Sequence, residues 1–139
     1  MATLLDLTEV HPRVMRWSVE EYEQLANQGG IPKHAELLRG LIIEKFPKSP
    51  LHRALSKRLY ELIQKALPTG FVVFQEAPLR LADSEPEPDV AVVAAQEADF
   101  QHRHPTTGCL VVEVAVSSAA LDRANAALYA EAGDRKSVV

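Results

Sequence analysis

Two stretches that are almost wholly apolar, "DVAVVAA" at 89–95 and "CLVVEVAV" at 109–116, constrain this chain more than any other feature. A run of Val, Ala and Leu without polar alternation has no solvent face, so it fits a central strand covered on both sides. Helical segments elsewhere can supply the covers, which predicts an α/β (α+β) architecture: a central mixed β-sheet flanked by helices. At 139 residues, one such unit spanning 1–139 is expected.

Each of these strands carries one carboxylate. Asp89 stands at the mouth of the first, fed by the acidic proline stretch "SEPEP", and Glu113 sits in the middle of the second. An isolated ionised carboxylate there would cost several kcal/mol or be neutralised, so each needs a partner. If the strands are neighbours the two acids converge, and they repel unless they share a proton or a divalent cation. Oxygen-only ligation of this kind suits Mg²⁺ or Mn²⁺. A salt bridge to a lysine or arginine answers the same need, and the spacing leaves both readings open.

The covering elements are legible in turn. "WSVEEYEQL" predicts a helix over about 19–27, with Ser18 as cap, Glu21 completing a capping box and Trp17 stapling onto Tyr22. "HAELLRGLIIEK" reads as a helical turn or strand, a turn at Arg39-Gly40, and a strand from Leu41 to Lys45. Leu55, Leu59, Leu62, Ile63 and Ala66 recur at helical spacing between His52 and Leu67, opposite a basic face of Arg53, Lys57, Arg58 and Lys65. "FVVFQ" reads as a strand and "APLRLAD" as a second extended piece. "SSAALDRANAALYAEAG" reads as an Ala-rich helix with Gly133 as its stop. The lone Cys109 reads as a small buried hydrophobe, with no disulfide and no Cys-based metal site.

Composition narrows the function classes. A net charge of −4 gives no global attraction to nucleic acid, so any DNA contact must be a local basic patch. No apolar run approaches the roughly 20 residues of a membrane helix, and "MATLLDLTEVHPRVMRW" lacks a signal-peptide pattern, so a cytoplasmic protein with no membrane partner is expected. There is no phosphate-binding glycine loop, no Gly-x-Ser-x-Gly elbow and no zinc-finger spacing. His102 and His104 have the spacing of a metal pair but no further ligands nearby.

Five stretches carry a family resemblance: "MRWSVEEYEQL", "AELLRGLIIEKFPKSPLH", "EPEPDVAVV", "LVVEVAVSS" and "LDRANAALYAEAG", together spanning most of Met15 to Gly133. In this order they resemble the Uma family of restriction endonucleases, within the PD-(D/E)XK nuclease superfamily. The resemblance implies a restriction-endonuclease-like core that hydrolyses DNA phosphodiesters with Mg²⁺ (or Mn²⁺). It implies Asp89 and Glu113 as metal ligands, the Val114 carbonyl as a third, and Glu36 as a further catalytic acid. His52 stands where the family often has a histidine, although a capping or surface role suits it better. Arg53, Lys57 and Arg58 are candidates for tracking the DNA backbone. A homodimer would suit an enzyme that cuts both strands.

One departure bears on activity. The superfamily usually places a lysine near the metal, two residues after the Glu or, in this family, on the following helix. Ala115 and Asn125 stand at those positions. Either Lys45 or Lys48 substitutes, or the chain is a catalytically weak or inactive nucleic-acid-binding module on the same fold. The final "DRKSVV" reads as neither a core strand nor a cap, and it is also the translation of the start of a common sequencing adapter. Residues 134–139 are therefore expected to be foreign to the native chain, which would be truncated near Gly133 with a sheet edge left exposed.

Overall fold

The computed structural model describes residues 3–45, 47–115, 125–131 and 136–138. Helix α1 (Val19–Asn27) starts where its caps predict: Ser18 Oγ accepts from the Glu21 N–H, and the Glu21 carboxylate accepts from the Ser18 N–H. Tyr22 is buried with Val19 and Leu37, and its hydroxyl donates to the Ala35 carbonyl at 3.1 Å. Ser18→Ala is expected to lower stability by about 1 kcal/mol, read as a lower urea midpoint. An unchanged midpoint would mean that this cap contributes nothing to global folding.

The ambiguous segment after α1 is a hairpin of β1 (Ala35–Leu38) and β2 (Leu41–Glu44), paired from Ala35↔Glu44 to Leu38↔Leu41. Its two-residue turn has positive φ at both Arg39 (53°) and Gly40 (82°), the combination that a tight twisted hairpin demands. Glycine is required at 40 for a second reason. A Cβ there would lie 2.5 Å from Arg16 Cβ.

The main sheet has the order β3-β4-β5-β6, formed by Val72–Gln75, Val90–Val93, Leu110–Glu113 and Lys136–Val138. β3, β4 and β5 run antiparallel, and β6 lies parallel to β5. Val73, Val90, Val92 and Val112 face α2 (Pro50–Ala66) and pack on Leu59, Tyr60 and Ile63. Ala91 and Val111, one residue out of phase, face the other way onto Leu38, Leu79, Leu81 and two residues of α3 (Ala126–Glu131), Leu128 and Tyr129. The central mixed sheet covered on both faces is thus the observed architecture.

Several expectations are corrected. Leu55 and Leu62 are exposed (39% and 53%), as is Ala66, because the face of α2 on the sheet is the one carrying Ser56, Leu59, Tyr60 and Ile63. Cys109 is exposed, since β5 begins only at Leu110 and Cys109 lies outside the covered layer. Residues 77–83 form no strand: Leu79 and Leu81 bury their side chains, while their N–H groups bond the Pro86 and Ser84 carbonyls inside the same loop. Lys136–Val138, expected to hold no core strand, does pair with β5. An open strand edge offers a full row of donors and acceptors to any extended β-branched segment within reach. The part of the last helix before Asn125 and its stop at Gly133 lie outside the described residues.

Candidate active site

The stretch "SEPEPD" is a strap that ties the hairpin to the sheet. Glu85 exchanges both backbone hydrogen bonds with Leu37, and Pro86 and Pro88 are fully buried. Proline suits these positions because it lacks an N–H that burial would leave unpaired. The Glu87 N–H donates to Glu36 Oε2 at 3.0 Å, and the Glu87 carbonyl accepts from Lys45 Nζ at 2.6 Å. Lys45 also lies 3.6 Å from Glu36. Glu36 is therefore buried with a cation and a backbone donor, held by the same strap that ends at Asp89.

Asp89 is 4% exposed and fully engaged. Its Oδ2 accepts from the Val114 N–H at 2.7 Å and meets His52 Nε2 at 3.2 Å, while its Oδ1 accepts from Lys48 Nζ at 3.0 Å. An ionised carboxylate only accepts, so His52 Nε2 is the donor, and its Nδ1 lies 3.4 Å from the buried Ser56 hydroxyl. Burial alone would raise the Asp89 pKa. The Val114 N–H and Lys48 outweigh it and hold the carboxyl below its ordinary range. For Lys48, burial pulls the pKa down, but Glu76 and Asp89 more than compensate and leave it raised.

Two local features deliver these partners. Ser49 caps α2 by accepting from the His52 N–H, and Pro50 opens the first turn, so His52 projects from a defined helix start with Lys48 just before it. Glu76 has φ 53°, and its N–H donates to the Asp89 carbonyl at 3.1 Å; its carboxylate takes the second side of Lys48 at 2.8 Å. Lys48, Glu76, Lys45, Glu87, His34 and Arg53 line a cleft of about 120 Å³ that opens beside Asp89.

The register that pairs Val90 with Val112 carries Asp89 to the position opposite Glu113. Glu113 is 7% exposed, and its Oε1 accepts from the Tyr129 hydroxyl at 2.9 Å. Asn125 is buried just before α3, and its carbonyl accepts from the Tyr129 N–H one helical turn on at 3.5 Å. Thus the two predicted strand acids stand at facing positions of adjacent strands, each with its own partners. Glu36 joins the same region through the strap.

Other predictions fall differently. His52 is not a surface histidine; its ring is turned onto Asp89. Of the basic face of α2, Arg53 reaches the cleft, whereas Lys57 and Arg58 are exposed without lining it. His102 and His104 are exposed, and among the described residues no three His, Cys, Asp or Glu side chains form a metal-holding group. Nothing in the sequence singles out Glu76 or Tyr129, which pair with Lys48 and Glu113. Glu76 follows a strand that any sequence reading would end there, and Tyr129 is one apolar-face residue among several. Among the described residues, no helix is long and apolar enough to cross a membrane.

The family model described as "Uma2: Putative restriction endonuclease" matches residues 19–136. A solved structure described as a "putative nuclease belonging to DUF820 from Anabaena variabilis ATCC 29413" aligns with a TM-score of 0.61 at 15% identity, covering 77% of this chain. At that identity the likeness is one of fold. The chain spans 64% of the length of that neighbour. No curated protein matches the chain.

Proposed function

Because the chain belongs to the Uma2 family, whose description is "Putative restriction endonuclease", we propose that it is a metal-dependent endonuclease hydrolysing DNA phosphodiester bonds at Asp89 and Glu113. The observation that carries this reading is the facing placement of two buried carboxylates at the ends of adjacent core strands. The donors suit a hard cation, and Asp89 already draws a cation, the Lys48 ammonium, onto its Oδ1. Asp89 and Glu113 would hold Mg²⁺ or Mn²⁺, with the Val114 carbonyl and water completing the shell, as suits ions that keep several waters. When bound, the ion supplies water activation and neutralises charge developing on the phosphate.

The chain's own residues do the rest. His52 and the Val114 N–H fix the Asp89 carboxylate in one orientation. Tyr129 does the same for Glu113, and Glu36 assists from β1, where the strap holds it. Arg53 at the cleft, with Lys57 and Arg58 further along α2, meets the DNA backbone as positive charge without base readout. Supercoiled plasmid incubated with Mn²⁺ or Mg²⁺ is expected to be nicked, with loss of nicking in EDTA and in Glu113→Gln. Nicking that persists in both controls would refute the reading.

A second reading, a nuclease-fold module that binds nucleic acid with little or no cleavage, is favoured by one observation. The residue one helical turn before Tyr129 is the uncharged Asn125, which supplies no positive charge and cannot deprotonate water. Metal and DNA binding without nicking would select it.

A further inference from the structure

We propose that Lys48 is the resident counter-cation of Asp89 and that a divalent cation binds only by displacing it, with Glu76 as the carboxylate that keeps the lysine when it leaves. The inference rests on the metal reading above and adds a device that sets how tightly this site takes its ion.

The partners of Asp89 are of two kinds. Oδ2 is held by a backbone N–H, from Val114, and by His52 on the first turn of a capped helix. Both donors sit on fixed elements. Oδ1 is met, among the described residues, by Lys48 alone. A lysine ammonium rides on a flexible four-carbon stem, and this one comes from the segment before α2 rather than from within an element. The oxygen that a metal could reach is therefore the one held by the most movable donor.

Lys48 also has somewhere to go. Its second partner, Glu76, lies 2.8 Å away and is half exposed, at the rim of the cleft that Lys48 itself lines. The Glu76 backbone is tied to Asp89 through its N–H and the Asp89 carbonyl, so the receiving carboxylate keeps its distance from the site as the lysine swings. Two cations cannot share one carboxylate oxygen at such separations without strong repulsion. Entry of the metal and withdrawal of Lys48 are then one event, and Glu76 lowers its cost by leaving the ammonium paired.

The two side chains are predicted to act in opposite directions. Calorimetric titration of Mn²⁺ into the full chain is expected to show Lys48→Met binding about tenfold or more tightly than the parent, since the competing charge is gone. Glu76→Gln is expected to bind about threefold or more weakly, because the displaced lysine loses its partner. The rise in melting temperature on adding Mn²⁺ should be larger in Lys48→Met than in the parent. If the parent binds Mn²⁺ and Lys48→Met binds equally or less tightly, the displacement is overturned while the nuclease reading stands. If neither binds, both are overturned. Should Lys48→Met fail to fold, Glu76→Gln decides: an affinity equal to that of the parent overturns the proposal.

Discussion

Asp89→Ala is expected to abolish metal-dependent nicking and, in the same protein, to lower folding stability by about 3 kcal/mol. The two losses have different causes. Cleavage fails because a ligand of the proposed ion is gone. Stability falls because the Val114 N–H, the His52 Nε2 and one side of the Lys48 ammonium lose the carboxylate that satisfies them. The figure sits at the low end for a broken buried pair because Lys48 retains the half-exposed Glu76. Asp89→Asn separates the two effects. It keeps the shape and can still accept from the Val114 N–H, so it should cost less stability, yet it lacks the charge and should nick no better than Asp89→Ala.

The acid limb of the stability curve carries the same argument. The folded Asp89 carboxyl titrates below its ordinary range. Its contribution is therefore complete above the unfolded value and is lost as pH falls through the folded one. Asp89→Asn should flatten that limb in urea unfolding series. Parent-like stability and nicking in Asp89→Ala would remove Asp89 from both the site and the core.

Glu85→Gln is expected to stabilise the protein at pH 8 by up to roughly 3 kcal/mol while leaving stability at pH 4 nearly unchanged. Glu85 is 6% exposed, and its Oε1 has no hydrogen-bond partner among the described residues. Burial, followed by repulsion from Glu23 and Glu87 against a partial offset from Arg80, pushes its pKa up to about 7, from an ordinary value of 4.5. The neutral form is the one the fold tolerates. Stability is thus fully present below the unfolded value and declines as pH rises from about 4.5 through about 7. Glutamine mimics the neutral acid and removes that decline. Equal urea midpoints for parent and Glu85→Gln at pH 5 and pH 8 would show that the carboxyl ionises without cost.

Much of the frame was legible beforehand. The ends of α1, the Arg39-Gly40 turn and the two core strands each rest on local chemistry: a capping box, a turn that needs positive φ, and apolar runs with no solvent face. Asp89 and Glu113 stood out for the same local reason, as carboxylates where the surrounding residues exclude charge. The partners were not legible. Lys48 and His52 lie 41 and 37 residues from Asp89 in sequence, and nothing in "KSPLH" reports which strand end the start of α2 will meet. Leu55 and Leu62 have the same helical spacing as Leu59 and Ile63, so spacing alone assigns all four to the covered face of α2, although only the latter two pack there. Periodicity identifies stripes and cannot rank two of equal quality.

The sequence by itself determined which segments become strands and helices, and which residues are too costly to bury alone, because those choices depend on a residue and its near neighbours. Only the tertiary structure decided who answers for each buried charge: Lys48 and His52 for Asp89, Lys45 for Glu36, Tyr129 for Glu113. Electrostatic pairing depends on distances across the chain, and those exist only once the sheet, the strap and the start of α2 have been brought together.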